Sequence, residues 1–305
     1  MAVGARYENN KEGRLSMRKV FLTFGDGGQN FIDARERIAQ EASRTRQFDE
    51  ILVYGWKDVV AKGVLSSPLR RFVRGCGYWI WKPEIIFSVL SRLDDGDILV
   101  YCDCGDVLFN TSRQWRIFFR MLNRVDIICK RISACNLNRC RKEMLEAFGG
   151  GTEICGRMCF QFETGTLFFR KSVFSVTLVK EWMNTMVRHP EIVPDVISEA
   201  EKSRQLPSFV ENRYEQSILT MLIYKCFSEV QNRSKVKSVW EFHAGWWVFG
   251  RPCIETARLR DGGVYKDGVK KRVVRICYRV LWRLQQFLER RGVCLFWEKR
   301  GWYGA

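Results

Sequence analysis

The chain of 305 residues has no run of about 18 or more apolar residues, which leaves no candidate for a membrane-spanning helix. Its opening, MAVGARYENNKEGRLSMRK, holds no apolar h-region, so a secretory leader is not expected. Histidine is nearly absent, with 2 in the whole chain. The spacings Cys135-x4-Cys140 and Cys155-x3-Cys159 are irregular and lack the second close pair that a structural zinc site needs. The 12 cysteines of an unsecreted chain are read instead as reduced, buried small hydrophobes. Neither GxxxxGK[ST] nor a full GxGxxG occurs, so the loop GDGG after residue 24 is not a mononucleotide P-loop. Internal repeats and low-complexity tracts are missing too, and 46% hydrophobic residues fit a folded chain.

Acidic residues are the remaining shortage: 34 against 51 basic ones, a net +17. That excess calls for a polyanionic partner such as nucleic acid, an acidic membrane or a phosphorylated substrate. Its distribution is uneven. Residues 264–305 hold eleven basic and three acidic residues, a net +8. Within them, 269–291 has helical period, with Val273, Ile276, Val280, Leu284 and Phe287 on one face and Arg272, Arg275, Arg279 and Arg283 on another. A basic amphipathic helix of this kind suits an anionic membrane surface; the alternative is a solvated helix packed on the body of the protein. Residues 1–17 are polar and aperiodic and read as a loose tail, leaving 18–263 as the main domain.

In that domain, Lys19 to Phe24 and Glu50 to Tyr54 are short apolar runs with strand character. Between them, Asn30 to Glu41 has helical composition with Asn30 as its expected cap. Pro83 opens a helix carrying Ile85, Ile86, Val89, Leu90 and Leu93, and Asp97 to Tyr101 is a third strand. Residues 164–172 predict a strand, Ser172 caps a helix to Val187, 188–210 is a loop with one helical turn, and Asn212 to Cys226 is helical. Alternation of strands and helices argues an α/β domain with a largely parallel sheet. Ligands bind such sheets beyond the carboxyl ends of the strands, which points to TFGDGG and to CDCGD.

In CDCGD, Asp103 and Asp106 lie within four residues at a strand end. They suit Mg²⁺ or Mn²⁺ held together with substrate phosphate oxygens, and they equally suit an ordinary turn. His243 stands among aromatics in WEFHAGWW, an environment more typical of a packed residue than of a ligand.

The string Arg74-Gly-Cys-Gly-Tyr-Trp-Ile-Trp-Lys82-Pro, followed by a helix and by Asp95-Gly-Asp-Ile-Leu-Val-Tyr-Cys-Asp103, resembles glycosyltransferases of the GT-A fold. The likeness is to capsule- and polysaccharide-type transferases with the pattern RGxGYWxWKP…DGDIxxYxDxG. Gln161 to Lys171 is similar to the strand after their metal motif, and Asn212 to Leu219 to their RxDQSIL helix, with Glu215 where Asp is usual. The resemblance spans roughly residues 18–250. It implies a GT-A (Rossmann-like) mixed, mostly parallel sheet flanked by helices, with the basic amphipathic helix added at the C-terminus.

The same resemblance implies a metal-dependent transfer of sugar from a nucleoside diphosphate, a UDP-sugar foremost, to a hydroxyl of a glycan or glycolipid, with retention. Asp103 matches the first aspartate of the Asp-x-Asp metal motif, Gly105 falls on the second, and Asp106 is one residue late. His243 matches the late metal histidine, so the implied Mn²⁺ or Mg²⁺ ligands are Asp103, Asp106 and His243. Thr23, Phe24, Arg74, Lys82 and Asp103 fall at donor-binding places, Gln216 and Glu215 at catalytic ones. An inverting enzyme would need a base, for which Glu163, Glu211 and Glu215 are candidates. The expected setting is cytoplasmic, held at the membrane by residues 264–305. Competing readings are a basic nucleic-acid-binding protein and a scaffold on a degenerate transferase fold. Nucleic acid is not expected, since no recognition motif is present and the excess charge sits in the tail.

Overall fold

A computed structural model describes residues 17–61, 63, 74–148, 160–196, 198–239 and 252–259. The N-terminal segment up to residue 16, His243 and the expected basic helix of 264–305 lie outside the described residues.

The elements follow as β1 Lys19–Phe24, α1 Gln29–Thr45, β2 Glu50–Tyr54, α2 Trp56–Ala61, α3 Trp81–Leu90, β3 Ile98–Asp103 and β4 Val107–Leu108. After them come α4 Ser112–Leu122, β5 Ile127–Cys135, α5 Asn136–Arg139, α6 Lys142–Ala147, β6 Phe160–Arg170, α7 Val173–Arg188, α8 Glu199–Lys202, α9 Tyr214–Ser228, β7 Val236–Val239 and β8 Ile254–Glu255. Six strands form one sheet in the order β2-β1-β3-β6-β5-β7. β1 is parallel to β2 and β3, and β5 to β7, while β6 is antiparallel to both its neighbours. One strand thus runs against five, the mixed, mostly parallel sheet expected of the sequence. β4 and β8 pair separately.

Alternation along the strands sorts their side chains onto two faces. Val20, Leu22, Phe24, Leu99 and Tyr101 pack with α3, α7 and α9, through Ile85, Ile86, Trp182 and Ile218 among others. Phe21, Val100, Cys102 and Phe168 pack with α1 and with Trp115, Phe118 and Leu122 of α4. Helices therefore cover both sides, as a largely parallel sheet requires. The eight described cysteines carry thiols and form no disulfides, and seven are buried.

Local chemistry explains where the element ends fall. Asn30 does not cap α1: the amides of Phe31 and Ile32 bond to the carbonyl of Gly28, so the helix starts earlier and Asn30 sits in its first turn. Ser172 does cap α7. Its hydroxyl accepts from the Ser175 amide at 3.1 Å, and the Ser175 hydroxyl accepts from the Ser172 amide at 3.0 Å. The loop before α9 contains one helical turn, α8, with a capping box from Ser198 and Glu201.

Candidate active site

The carboxyl ends of β1 and β3 lie side by side, with Phe24 opposite Asp103 and Thr23 opposite Cys102. Asp103 follows Leu99 and Tyr101 on the same face of β3, which turns it toward α3 and α9. Those helices supply its partners. Lys82, in the first turn of α3, places its Nζ 3.1 Å from Asp103 Oδ1 and 3.3 Å from Glu215 Oε1 of α9. Tyr101 donates its hydroxyl to Asp103 Oδ1 at 2.7 Å, and Thr164 donates to Glu215 Oε1 at 3.0 Å. The Lys82 side chain is 3% exposed and that of Asp103 42%, so the ammonium is sealed and one carboxylate is open to solvent.

Burial by itself would lower the Lys82 ammonium, but Asp103 and Glu215 outweigh it and hold it above the ordinary lysine value. Burial raises the Glu215 carboxyl, Lys82 opposes that effect and Asp103 adds to it; the balance leaves the group above its usual range. Two carboxylates around one ammonium make a cluster with a net negative charge when both are ionised. Gly165 on β6 gives Asp103 its room: a Cβ there would lie 3.3 Å from Asp103 Oδ2.

A left-handed turn delivers Lys82 to this place. Gly75, Cys76, Gly77, Tyr78 and Trp79 have φ of 63°, 54°, 104°, 57° and 60°. Each non-glycine residue in that region costs about 1–2 kcal/mol, so the turn is held by its contacts. Trp81 donates its indole N–H to the Gly75 carbonyl at 2.9 Å. Tyr78 stacks on Tyr214 with centroids 5.5 Å apart, Trp79 lies 5.2 Å from the same ring, and the Arg74 guanidinium 5.4 Å from it. Tyr214 is itself left-handed, at φ 47°, immediately before Glu215. Strained backbone thus flanks the cluster on both sides.

The other residues singled out in the sequence are placed as follows. Thr23 is fully buried, and its hydroxyl has no hydrogen-bond partner among the described residues. Phe24 forms a buried wall with Trp81 at 4.2 Å and Trp56 at 4.7 Å. Gln216 turns away from Lys82. Its amide donates to Gln161 Oε1 at 2.5 Å, and Gln161 donates on to Ser217 Oγ and the Arg139 carbonyl. Glu211 is tied to Arg139 and Arg213 at 2.6 Å each. Glu163 pairs with Lys130 at 2.7 Å; burial raises its carboxyl, and Lys130 outweighs that and brings it below the usual range.

Asp106 is 2% exposed and points inward. It accepts from the Thr166 hydroxyl at 2.5 Å, while Arg37 clamps the turn by donating to the carbonyls of Cys104 and Asp106. Burial first, then Glu163 and Asp103, hold the Asp106 carboxyl well above the aspartate range. This turn therefore does not present a second exposed carboxylate beside Asp103. Among the described residues no three His, Cys, Asp or Glu side chains converge on a possible cation site. Lys82 already stands where a cation would face Asp103, so the described part of the implied ligand set does not by itself fit a metal ion.

Tyr101 and Thr164 are site residues that sequence reasoning passed over. Tyr101 had a signal, since i and i+2 share a strand face and it precedes Asp103 by two. Thr164 had none before β6 and α9 were set against each other.

No protein-family description and no curated protein matches the sequence. Solved structures that are similar in part include three glycosyltransferases. A glycosyltransferase involved in the glycosylation of the major capsid of PBCV-1 is 10% identical over 73% of this chain and 81% of its own, with a TM-score of 0.37. Mouse xyloside xylosyltransferase 1 is 9% identical over 73% of this chain and 84% of its own, with a TM-score of 0.37. The galactosyltransferase LgtC, solved with donor and acceptor sugar analogs, is 13% identical over 86% of this chain and 96% of its own, with a TM-score of 0.34.

Proposed function

We propose that the chain is a glycosyltransferase that moves a sugar from a nucleoside diphosphate, a UDP-sugar foremost, to a hydroxyl of a glycan or glycolipid acceptor. The observation that carries the reading is the Asp103–Lys82–Glu215 cluster at the carboxyl ends of β1 and β3. It joins three of the sequence segments on which the resemblance rests. Solvent-open Asp103 accepts hydrogen bonds from hydroxyls of the donor sugar. Lys82, itself held by Glu215, keeps that carboxylate in place, and Tyr101 fixes its rotamer.

The reaction breaks the anomeric C–O bond, and the electron pair leaves with the diphosphate. Positive charge develops on the sugar, where a cluster of net negative charge stabilises it. Arg74, exposed beside Tyr214, offers fixed positive charge to the departing diphosphate. In the retaining course the acceptor oxygen attacks from the leaving-group face, and its proton passes to a phosphate oxygen, so no protein base is needed. The Mn²⁺ or Mg²⁺ implied by the resemblance requires His243 to supply what Asp106 does not. The proposed setting is the cytoplasmic face of a membrane, with residues 264–305 as the attachment.

The test is nucleotide release from a panel of nucleotide sugars, with Mn²⁺, with Mg²⁺ and with EDTA, for wild type and Asp103→Asn. Many transferases slowly hydrolyse their donor, so no acceptor need be supplied. Release from one donor and a loss of about 100-fold in the variant, close to 3 kcal/mol of transition-state stabilisation, is the expected result. No release from any donor, together with no nucleoside diphosphate binding by calorimetry, would leave the scaffold reading in its place.

A further inference from the structure

A second concentration of positive charge lies across the sheet from the cluster, on the outer face of α4. Residues 112–124 contain four arginines and no acidic residue. Arg113, Arg116, Arg120 and Arg124 are all exposed. At 3.6 residues per turn they fall within an arc of about 80° and a length of roughly 16 Å. The helical course continues to Arg124, whose amide bonds to the Met121 carbonyl. Trp115, Phe118, Phe119 and Leu122 fill the opposite face and are buried against the sheet, so the row points straight outward. Arg113, Arg116 and Arg120, with Ile117, surround a half-open cleft of about 310 Å³.

The fold gains nothing from this row. Like charges spaced three and four apart on a helix cost a few tenths of a kcal/mol per pair. None of the four is paired with a carboxylate among the described residues. An unpaired arginine row is suited to phosphate oxygens, which guanidinium groups grip in a bidentate fork. We infer that the outer face of α4 is a docking surface for an anionic lipid bilayer, with the arginines on headgroup phosphates.

Two features favour a bilayer over nucleic acid. Every aromatic side chain of α4 faces inward, so the row offers no platform on which bases could stack. Half-buried Ile117 and Met121 border the arginines along one edge, the pairing of aliphatic and cationic groups that suits the boundary between headgroups and acyl chains. The row also begins at the carboxyl edge of the sheet, after β3 and β4. Arg113 is at the end of α4 that follows β3 and β4, so docking would bring the carboxyl edge of the sheet near the bilayer. This inference depends on neither the transferase reading nor the tail.

Vesicle flotation of the full-length chain tests it, using phosphatidylcholine vesicles and vesicles with about a third phosphatidylglycerol. The parent should carry Arg272→Gln, Arg275→Gln, Arg279→Gln and Arg283→Gln, so that the tail does not mask the helix. The parent is expected to float with anionic vesicles and not with neutral ones. Each of Arg113→Gln, Arg116→Gln, Arg120→Gln and Arg124→Gln should lower partitioning about fivefold at low salt, and the four Arg→Lys exchanges should largely preserve it. Circular dichroism checks that the variants remain folded, and nucleotide release in solution should be unchanged by them. A parent that ignores anionic vesicles, or a quadruple Gln variant that partitions like its parent, would overturn the inference. So would loss of duplex DNA binding with vesicle binding unaltered, which would assign the row to nucleic acid.

Discussion

Lys82 is the residue on which the site depends for stability, because two carboxylates lean on one buried ammonium. Lys82→Met should cost about 3 kcal/mol in urea unfolding, since it leaves Glu215 buried without its counter-charge. The folded lysine holds its proton to higher pH than the unfolded one. Its contribution is therefore fully present below about pH 10 and lost only as pH rises through the folded value. The lysine's own titration should accordingly add no pH dependence to the difference between wild type and Lys82→Met from neutral pH to about pH 10.

Asp106 gives a second titration with a different meaning. Its folded carboxyl also keeps its proton to higher pH than the unfolded one, so its contribution is present below about pH 4 and fades as pH rises. Asp106→Asn retains an oxygen for the Thr166 hydroxyl and should gain stability relative to wild type as pH rises above about 4. A wild type that gains on the variant over that rise would show an ionised Asp106 with a partner. As for legibility, Asp103, Lys82 and Glu215 could each be picked out from the chain. Their meeting could not, because it joins residues 82 and 215 through a fold that no local pattern encodes. The inward turn of Asp106 was equally hidden, since it depends on Arg37 and Thr166 from other elements.

The turn of residues 75–79 is the element most sensitive to a single atom. A Cβ on Gly75 would lie 2.4 Å from the Trp79 ring, at a φ of 63°. Gly75→Ala should cost about 2 kcal/mol or more in thermal unfolding and should reduce donor turnover as well, because the turn leads into Lys82. Ser172→Ala removes one half of a capping box and should cost about 1 kcal/mol with turnover unchanged.

Elements were legible where one physical signal dominated. β1 and β2 are short, mostly apolar runs, and Ser172 is a cap with a helical stripe behind it. α4 and β5 were not read. The inner stripe of α4 has helical spacing, but its three arginines make its composition polar. β5 changes register at Cys129/Lys130 and again between Arg131 and Cys135, which breaks its two-residue period. Asn30 failed as a cap because the helix begins two residues earlier, at the carbonyl of Gly28.

At the scale of the whole molecule, the mixed sheet brings β1, β3, α3 and α9 together at one edge, and the covering helices leave a charged row on the far side of α4. The expected tail of 264–305 would add a second basic surface. At that edge the proposal is that Asp103 and Glu215 act as one unit on a nucleotide sugar. Its most direct measurement is donor hydrolysis by wild type, Asp103→Asn, Glu215→Gln and the double variant. Wild type should release nucleotide from one donor, each single variant should lose about 100-fold, and the double variant should lose little more than the worse single one. Losses that multiply would show two groups working independently, and silence of the wild type across all donors would contradict the account outright.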